Sequence, residues 1–330
     1  MFQDTYNELM CTTTVIRFSN KPSEHATGFF YNYGNDTFLI TNRHVLEHEK
    51  NQPQEISIWF RDYSDINKTN RCDIPLYEDQ FPRWLIHPFF REVDIAVLPL
   101  NQKLSHVNDE EYKTGSLALS AETFANSELL IRGGTGARVF GYPEGYIDSS
   151  SHFPVARDGL IASPYGNWFE EHPQFLVDGK MGDGMSGSPV FTDRTTHFEK
   201  IEGDPHIAGA TAFFIGVHSG AYRTAEGAQS SELDINNVWY SELIEIILNI
   251  NGLCEFVSGV EFSTASEIIN HNIDSAFLSE IVSEVGTWDL FDPEQNKVES
   301  PSQKLEEEIR PETLLQIVSL LEESSERKEG

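Results

Sequence analysis

Three residues that together can break an acyl bond stand far apart in this sequence: His44, Asp94 and Ser186. Ser186 lies in Gly184-Met185-Ser186-Gly187-Ser188-Pro189-Val190, a glycine-flanked, proline-closed turn that runs into an apolar strand. Such a turn exposes a hydroxyl and aims nearby backbone N–H groups at one point. A serine nucleophile needs the first, and the oxyanion it generates needs the second. Alone, the stretch also reads as an ordinary Ser-Gly-Ser-Pro turn. Two upstream segments strengthen the chemical reading. Thr37 to Leu46 delivers His44 at the end of an apolar run, and Asp94 directly precedes Ile95-Ala96-Val97-Leu98. Fifty residues separate His44 from Asp94, and ninety-two separate Asp94 from Ser186. His, Asp, Ser is one of three known chain orders for a catalytic triad.

The elements that must carry these residues are short strands. Thr13–Phe18, Gly28–Tyr31, Thr37–Thr41, Ile56–Phe60, Trp84–Ile86 and Asp94–Leu100 recur with turn residues between them. This pattern predicts an antiparallel barrel. After a polar stretch at roughly 101–130, a second set follows: Ala137–Tyr142, Gln174–Val177, Ser188–Phe191 and Ala212–His218. Two barrels would put His44 and Asp94 on the first, Ser186 on the second and a cleft between. Val238 to Leu248 has apolar residues at helical spacing and predicts a helix. Beyond it, Ser275–Val285 and Leu305–Leu321 read as amphipathic helices, joined by a polar, proline-containing linker at 293–302. The expected division is 1–115, 116–252 and an acidic helical extension at 253–330, which docks on the barrels or binds a partner chain.

Four motifs in this order resemble the trypsin-like (chymotrypsin-fold) serine peptidases of the stand-alone prokaryotic type. They are Thr41-Asn42-Arg43-His44-Val45, Asp94-Ile95-Ala96-Val97, Gly184 to Pro189, and Ile215-Gly216-Val217-His218-Ser219-Gly220. The resemblance covers roughly residues 10 to 250. It implies a mainly β fold of two antiparallel six-stranded barrels with a C-terminal helix packed on the second barrel. It also implies a role for each residue. Ser186 is the nucleophile, His44 the base that takes its proton, and Asp94 the carboxylate that fixes the His44 ring. The N–H groups of Gly184 and Ser186 form the oxyanion hole. His218, Ser219 and Gly220 line the substrate cleft. Lys180 lies six residues before Ser186, where trypsins carry the acid that selects Arg or Lys.

A basic residue at 180 argues against that selectivity. With His218 beside the first subsite it points to Glu or Gln before the scissile bond; His218 is equally a structural histidine at a strand end. Secreted trypsins carry an Asp just before the nucleophile, paired with a new N-terminus after cleavage. Met185 cannot form that pair, so activation by such cleavage is not expected.

Composition bounds the rest. At 330 residues, 39% apolar, the chain can bury a sizeable core. The 23 basic against 53 acidic residues leave a net charge of −30. Phosphate-bearing partners are repelled by such a field, so neither nucleic acid nor a membrane surface is expected as a partner. No apolar run is long enough to span a bilayer. The N-terminus lacks the basic-then-apolar order of an export signal, and three scattered cysteines cannot form the disulfide set of secreted relatives. A cytoplasmic location follows as an expectation. No metal-ligand spacing, phosphate loop or dinucleotide motif is present, so no cofactor is expected. The substrate is expected to be a protein or peptide. Two competing readings are a trypsin-fold binding module that has lost catalysis and an α/β-hydrolase esterase. The second fails because Ser188 occupies the final glycine of the elbow and the serine follows the histidine.

Overall fold

A computed structural model describes residues 9–34, 36–47, 53–61, 65–78, 81–87, 90, 92–100, 117–125, 131–193, 195–198, 206–222 and 234–249. Among them strands dominate. The first eight are β1 (Thr13–Phe18), β2 (Lys21–Tyr33), β3 (Asp36–Thr41), β4 (Glu55–Arg61), β5 (Thr69–Pro75), the short β6 (Tyr77–Glu78) and β7 (Phe81–Pro82), and β8 (Ala96–Pro99). The second eight are β9 (Gly136–Gly141), β10 (Val155–Ile161), β11 (Gln174–Asp178), β12 (Pro189–Thr192), β13 (Thr195–Phe198), β14 (His206–Thr211), β15 (Phe214–Ala221) and β16 (Ile235–Tyr240).

Two six-stranded antiparallel sheets result. The first runs β5-β4-β1-β2-β3-β8 and curls without pairing its two outer strands. The second, β10-β11-β16-β15-β12-β9, closes into a barrel. The expected mainly β, two-barrel architecture is therefore present, with its first half a curled sheet. β6–β7 and β13–β14 are separate two-stranded ribbons.

Three apolar cores hold these sheets. Ile16, Phe30, Leu39, Ile56, Ile58, Ile74 and Leu98 fill the first sheet's concave side. Val139, Ile161, Phe175, Val177, Met185, Val190 and Ile215 fill the closed barrel. Phe29, Tyr31, Ile40, Phe140, Phe191, Phe214 and Val217 form the third, between the sheets. Neighbours such as Leu39 and Ile40 thus point into different cores. This explains why Phe29–Tyr31 of β2 and Phe38–Ile40 of β3 read as continuous apolar runs and not as apolar–polar alternation. Phenylalanines pack together at this junction, where Phe29 meets Phe214 edge-on at 5.3 Å and Phe191 packs on Phe140 and Phe214.

Two sequence expectations change at the end of the second barrel. Val238-Trp239-Tyr240 is not the start of a helix but the end of β16, paired with β11 and β15. The helix occupies 243–249. It packs into the core shared by both sheets and not on the second barrel alone. Its buried Glu245 accepts a 2.8 Å hydrogen bond from Tyr31 of β2. Trp84–Ile86 contributes only a single bridge, Leu85 to Val97, and no strand. Among the described residues no helix is long and apolar enough to cross a membrane, and none of their His, Cys, Asp and Glu side chains cluster as a metal site. The extension expected at 253–330 lies outside the described residues.

Candidate active site

Pairing of β3 with β8 sets Thr41 opposite Ala96. That register brings the residues just after β3 and just before β8 to one end of the first sheet. After β3 the chain makes the helical turn Arg43–Leu46, and its His44 faces Asp94. The Asp94 carboxylate accepts twice from this residue: Oδ2 from the ring Nδ1 at 2.6 Å and Oδ1 from the backbone N–H at 2.9 Å. The proton therefore sits on Nδ1, which leaves Nε2 of the half-exposed ring as a base. Asn42, wholly buried, donates from its side chain to the Asp94 carbonyl at 2.7 Å and ties the two segments from behind.

Ser186 comes from the other sheet, on the loop between β11 and β12. Three glycines there have left-handed backbones, Gly182 at φ +90°, Gly184 at φ +91° and Gly187 at φ +84°. A Cβ at Gly187 would run into the Thr27 carbonyl and the Thr41 side chain, and one at Gly184 would sit 2.6 Å from the Tyr142 carbonyl. Only glycine fits these turns.

The carbonyls of Asp183, Gly184 and Met185 are claimed from inside. Asp183 O accepts from Glu144 N–H at 2.7 Å, Gly184 O from the Thr27 hydroxyl at 2.8 Å, and Met185 O from Ser188 N–H at 3.0 Å. His218 Nδ1 also lies 3.0 Å from Met185 O. In a trans peptide the N–H points opposite to the C=O, so the Gly184 and Ser186 N–H groups face the other way. Among the described residues neither has a hydrogen-bond partner. Two uncommitted donors flanking a serine can stabilise an oxyanion.

Strand β15 supplies the link between the halves. Its pairing with β16 shifts register between His218 and Gly220, and Ser219 occupies the bulge. Ser219 Oγ donates to Asp94 Oδ2 at 2.5 Å, while its carbonyl accepts the Ser186 hydroxyl at 3.2 Å. His44, Asp94 and Ser186 are thus gathered around Ser219. Among the described residues, however, no hydrogen bond joins Ser186 Oγ to the His44 ring.

The other expected substrate residues are placed as follows. His218 is buried, its Nε2 3.2 Å from Asn236 Oδ1. The Asn236 amide nitrogen donates to the carbonyls of Gly179 and Asp234 at 2.7 Å, which fixes its oxygen toward the ring. Burial lowers the His218 pKa. Gly220 borders open space. Lys180 is exposed, and its carbonyl accepts from Arg157 at 2.8 Å.

Several residues with roles here carry no sequence signal of their own: Thr27, Glu144 and Asn236. Each acts through a partner distant in the chain or through its backbone. The pairing partner of Thr27 Oγ1 is 157 residues away.

The model of the trypsin-like peptidase domain matches residues 26–197. No curated protein matches the sequence. Among solved structures, the HtrA-type protease AlgW with tripeptide is 14% identical, with a TM-score of 0.44, over 81% of this chain and 64% of that one. A serine endoprotease from Yersinia pestis is 12% identical, with a TM-score of 0.43, over 76% of this chain and 67% of that one. The thermostable serine protease AL20 from an extremophilic microorganism is 13% identical, with a TM-score of 0.42, over 74% of this chain and 98% of that one.

Proposed function

This chain belongs to the trypsin-like peptidase domain family, and from that membership we propose that it is a serine endopeptidase working through an acyl-enzyme on Ser186. The observation that carries the reading is the grip of Asp94 on His44 Nδ1, with two free N–H donors beside Ser186. In the reaction the Ser186 hydroxyl turns from the Ser219 carbonyl to His44 Nε2. Its proton passes to that nitrogen as Oγ bonds to the scissile carbonyl carbon. The negative oxygen sits between the Gly184 and Ser186 N–H groups. On collapse the C–N bond breaks, and His44 returns the proton to the departing amine. A water then repeats the two steps against the acyl-enzyme, releasing the acid and restoring the Ser186 hydroxyl. No cofactor enters.

A preference for Glu or Gln before the scissile bond belongs to this reading. It rests on His218 and Lys180, and it requires the His218 ring to exchange Asn236 for a substrate oxygen. We also infer a protein or peptide substrate in the cytoplasm, and an extension at 253–330 that docks in cis or binds a partner. The bond from Ser186 Oγ to the Ser219 carbonyl, in place of one to His44, favours a second reading: a trypsin-fold binding module without catalysis.

A fluorophosphonate probe separates the two. It should label the native protein and fail on Ser186→Ala and His44→Ala. No labelling of the native protein supports the binding module, and labelling that persists in Ser186→Ala overturns the assignment of the nucleophile. A cleaved peptide library tests the subsite; cuts indifferent to Glu and Gln would refute the preference.

A further inference from the structure

We propose that Thr27 is a positioning residue for the oxyanion hole, acting from the first sheet on a loop of the second. This inference rests on the peptidase reading above. Thr27 lies in β2 and is fully buried. Its backbone N–H donates to the Ser186 carbonyl at 3.0 Å, and its hydroxyl donates to the Gly184 carbonyl at 2.8 Å. One side chain and its own backbone thus hold the residues on both sides of Met185.

The hydroxyl has a second duty. Its lone pair accepts the Tyr142 N–H at 3.2 Å. Tyr142 opens the tight turn at Pro143–Gly145, where Glu144 holds a left-handed backbone at φ 52° and donates its N–H to the Asp183 carbonyl. That bond sets the peptide plane whose other edge is the Gly184 N–H. The neighbouring His25 braces the same turn: its Nε2 lies 2.8 Å from the Tyr142 carbonyl and 3.0 Å from Gly145 N. Thr27 therefore touches both peptide segments that orient the oxyanion donors. It touches neither substrate nor reacting atoms, so its effect is on geometry.

The direction of the effect follows. Gly184 lacks a side chain and can rotate through backbone states closed to other residues. With its carbonyl untied the Gly184–Met185 peptide can turn, and with the Tyr142 N–H released the turn whose Glu144 holds the Asp183–Gly184 peptide loosens too, so the Gly184 N–H leaves the position where the oxyanion forms. Ground-state binding of the peptide uses other contacts and changes little. A loss confined to the transition state lowers kcat with KM nearly fixed.

The test compares Thr27→Val, which keeps the shape and removes the hydroxyl, with Thr27→Ser, which keeps the hydroxyl, and with Thr27→Ala as a second deletion. We expect Val and Ala to lower kcat by about ten- to a hundredfold, with KM within about threefold, a smaller effect than deleting an oxyanion donor outright. Affinity for a peptide boronic acid, a tetrahedral mimic, should fall in step with kcat/KM. Ser should recover most of the loss. Amide hydrogen exchange across 182–188 should quicken in Val and Ala. A kcat within twofold of native in folded Val and Ala variants would overturn the inference. So would failure of both to fold, which would make the hydroxyl a requirement of the fold. Exchange at 182–188 also answers without turnover. Unchanged exchange refutes the positioning role, whereas a native enzyme that takes no fluorophosphonate refutes the peptidase reading.

Discussion

Ser219 Oγ lies 2.5 Å from Asp94 Oδ2, a contact that reaches from the second barrel to the carboxylate holding His44. The same oxygen accepts the His44 ring proton. Ser219 thus helps fix the direction of the carboxylate that fixes the imidazole. Ser219→Ala removes this donor to a charged acceptor, a bond of about 1.5–3 kcal/mol. The expected result is a fall in kcat/KM of about tenfold or more with fold intact, read by peptide hydrolysis and thermal melting. Unchanged kcat/KM would show that the His44 contacts orient Asp94 unaided.

Gly184→Ala tests the backbone of the nucleophile loop. The new methyl meets the Tyr142 carbonyl and the His25 ring, and φ +91° is strained for any L side chain. Relief requires the Gly184 peptide to turn, taking its N–H with it. Activity should drop by at least about a hundredfold, while the melting temperature falls by a few degrees. A variant with native kcat would exclude Gly184 N–H from the oxyanion hole.

Arg61 ties the first sheet to the segment that follows the Glu144 turn. Its guanidinium donates to the carbonyls of Ile66, Ser151 and His152 at 2.6–2.9 Å and stacks over Phe153 at 3.9 Å. The side chain is buried. Removing it takes a donor from each of three carbonyls, of which that of His152 keeps the Tyr142 hydroxyl at 2.8 Å, and opens a cavity. Arg61→Ala should cost about 3 kcal/mol or more in denaturant unfolding. Arg61→Lys should recover little, because an ammonium cannot reproduce the planar fork.

His87 gives the stability a pH dependence of known sign. Its ring is buried, with Nδ1 accepting the Phe90 N–H at 3.0 Å, and burial pushes its pKa down to about 3 from an ordinary value of 6.5. Between these values the unfolded chain binds the proton and the folded chain does not. Stability is therefore full above pH 6.5 and is lost as pH falls toward 3, by up to about 1.4 kcal/mol per unit for this ring. His87→Asn keeps an acceptor for Phe90 and removes the titration. Its stability should decline less steeply than native between pH 6.5 and 4; parallel declines would refute the assignment.

How much of this was readable in advance depends on where each residue's partners lie. The meeting of His44 with Asp94 was legible because acyl chemistry restricts residue types and order, and the left-handed turns at Gly184 and Gly187 because a glycine-flanked serine turn excludes side chains. Strands β1 and β3 were legible because their apolar residues are buried on both faces, and β4 because Ile56, Ile58 and Phe60 alternate onto one core. β5 and β10 were not: Thr69–Pro75 and Val155–Ile161 have largely exposed or half-buried residues, and little apolar pattern survives. β16 was hidden for a different reason. Its polar Asn236 and Asn237 mask the alternation, and its last three residues run into a helical pattern. The contact of Ser219 with Asp94 depends on a bulge, which leaves no trace in composition. Thr27 was invisible because every group it holds in the second half is more than a hundred residues away.

The Thr27–Ser186 backbone bond bears on protein engineering. Ser186 is held by a bond from the opposite half of the molecule, so a graft of the second barrel onto a foreign first half inherits the serine without its reference point. Any hybrid built by exchanging halves must carry the Thr27 and Thr41 contacts with it, or the transplanted serine will arrive out of register with His44 and Asp94.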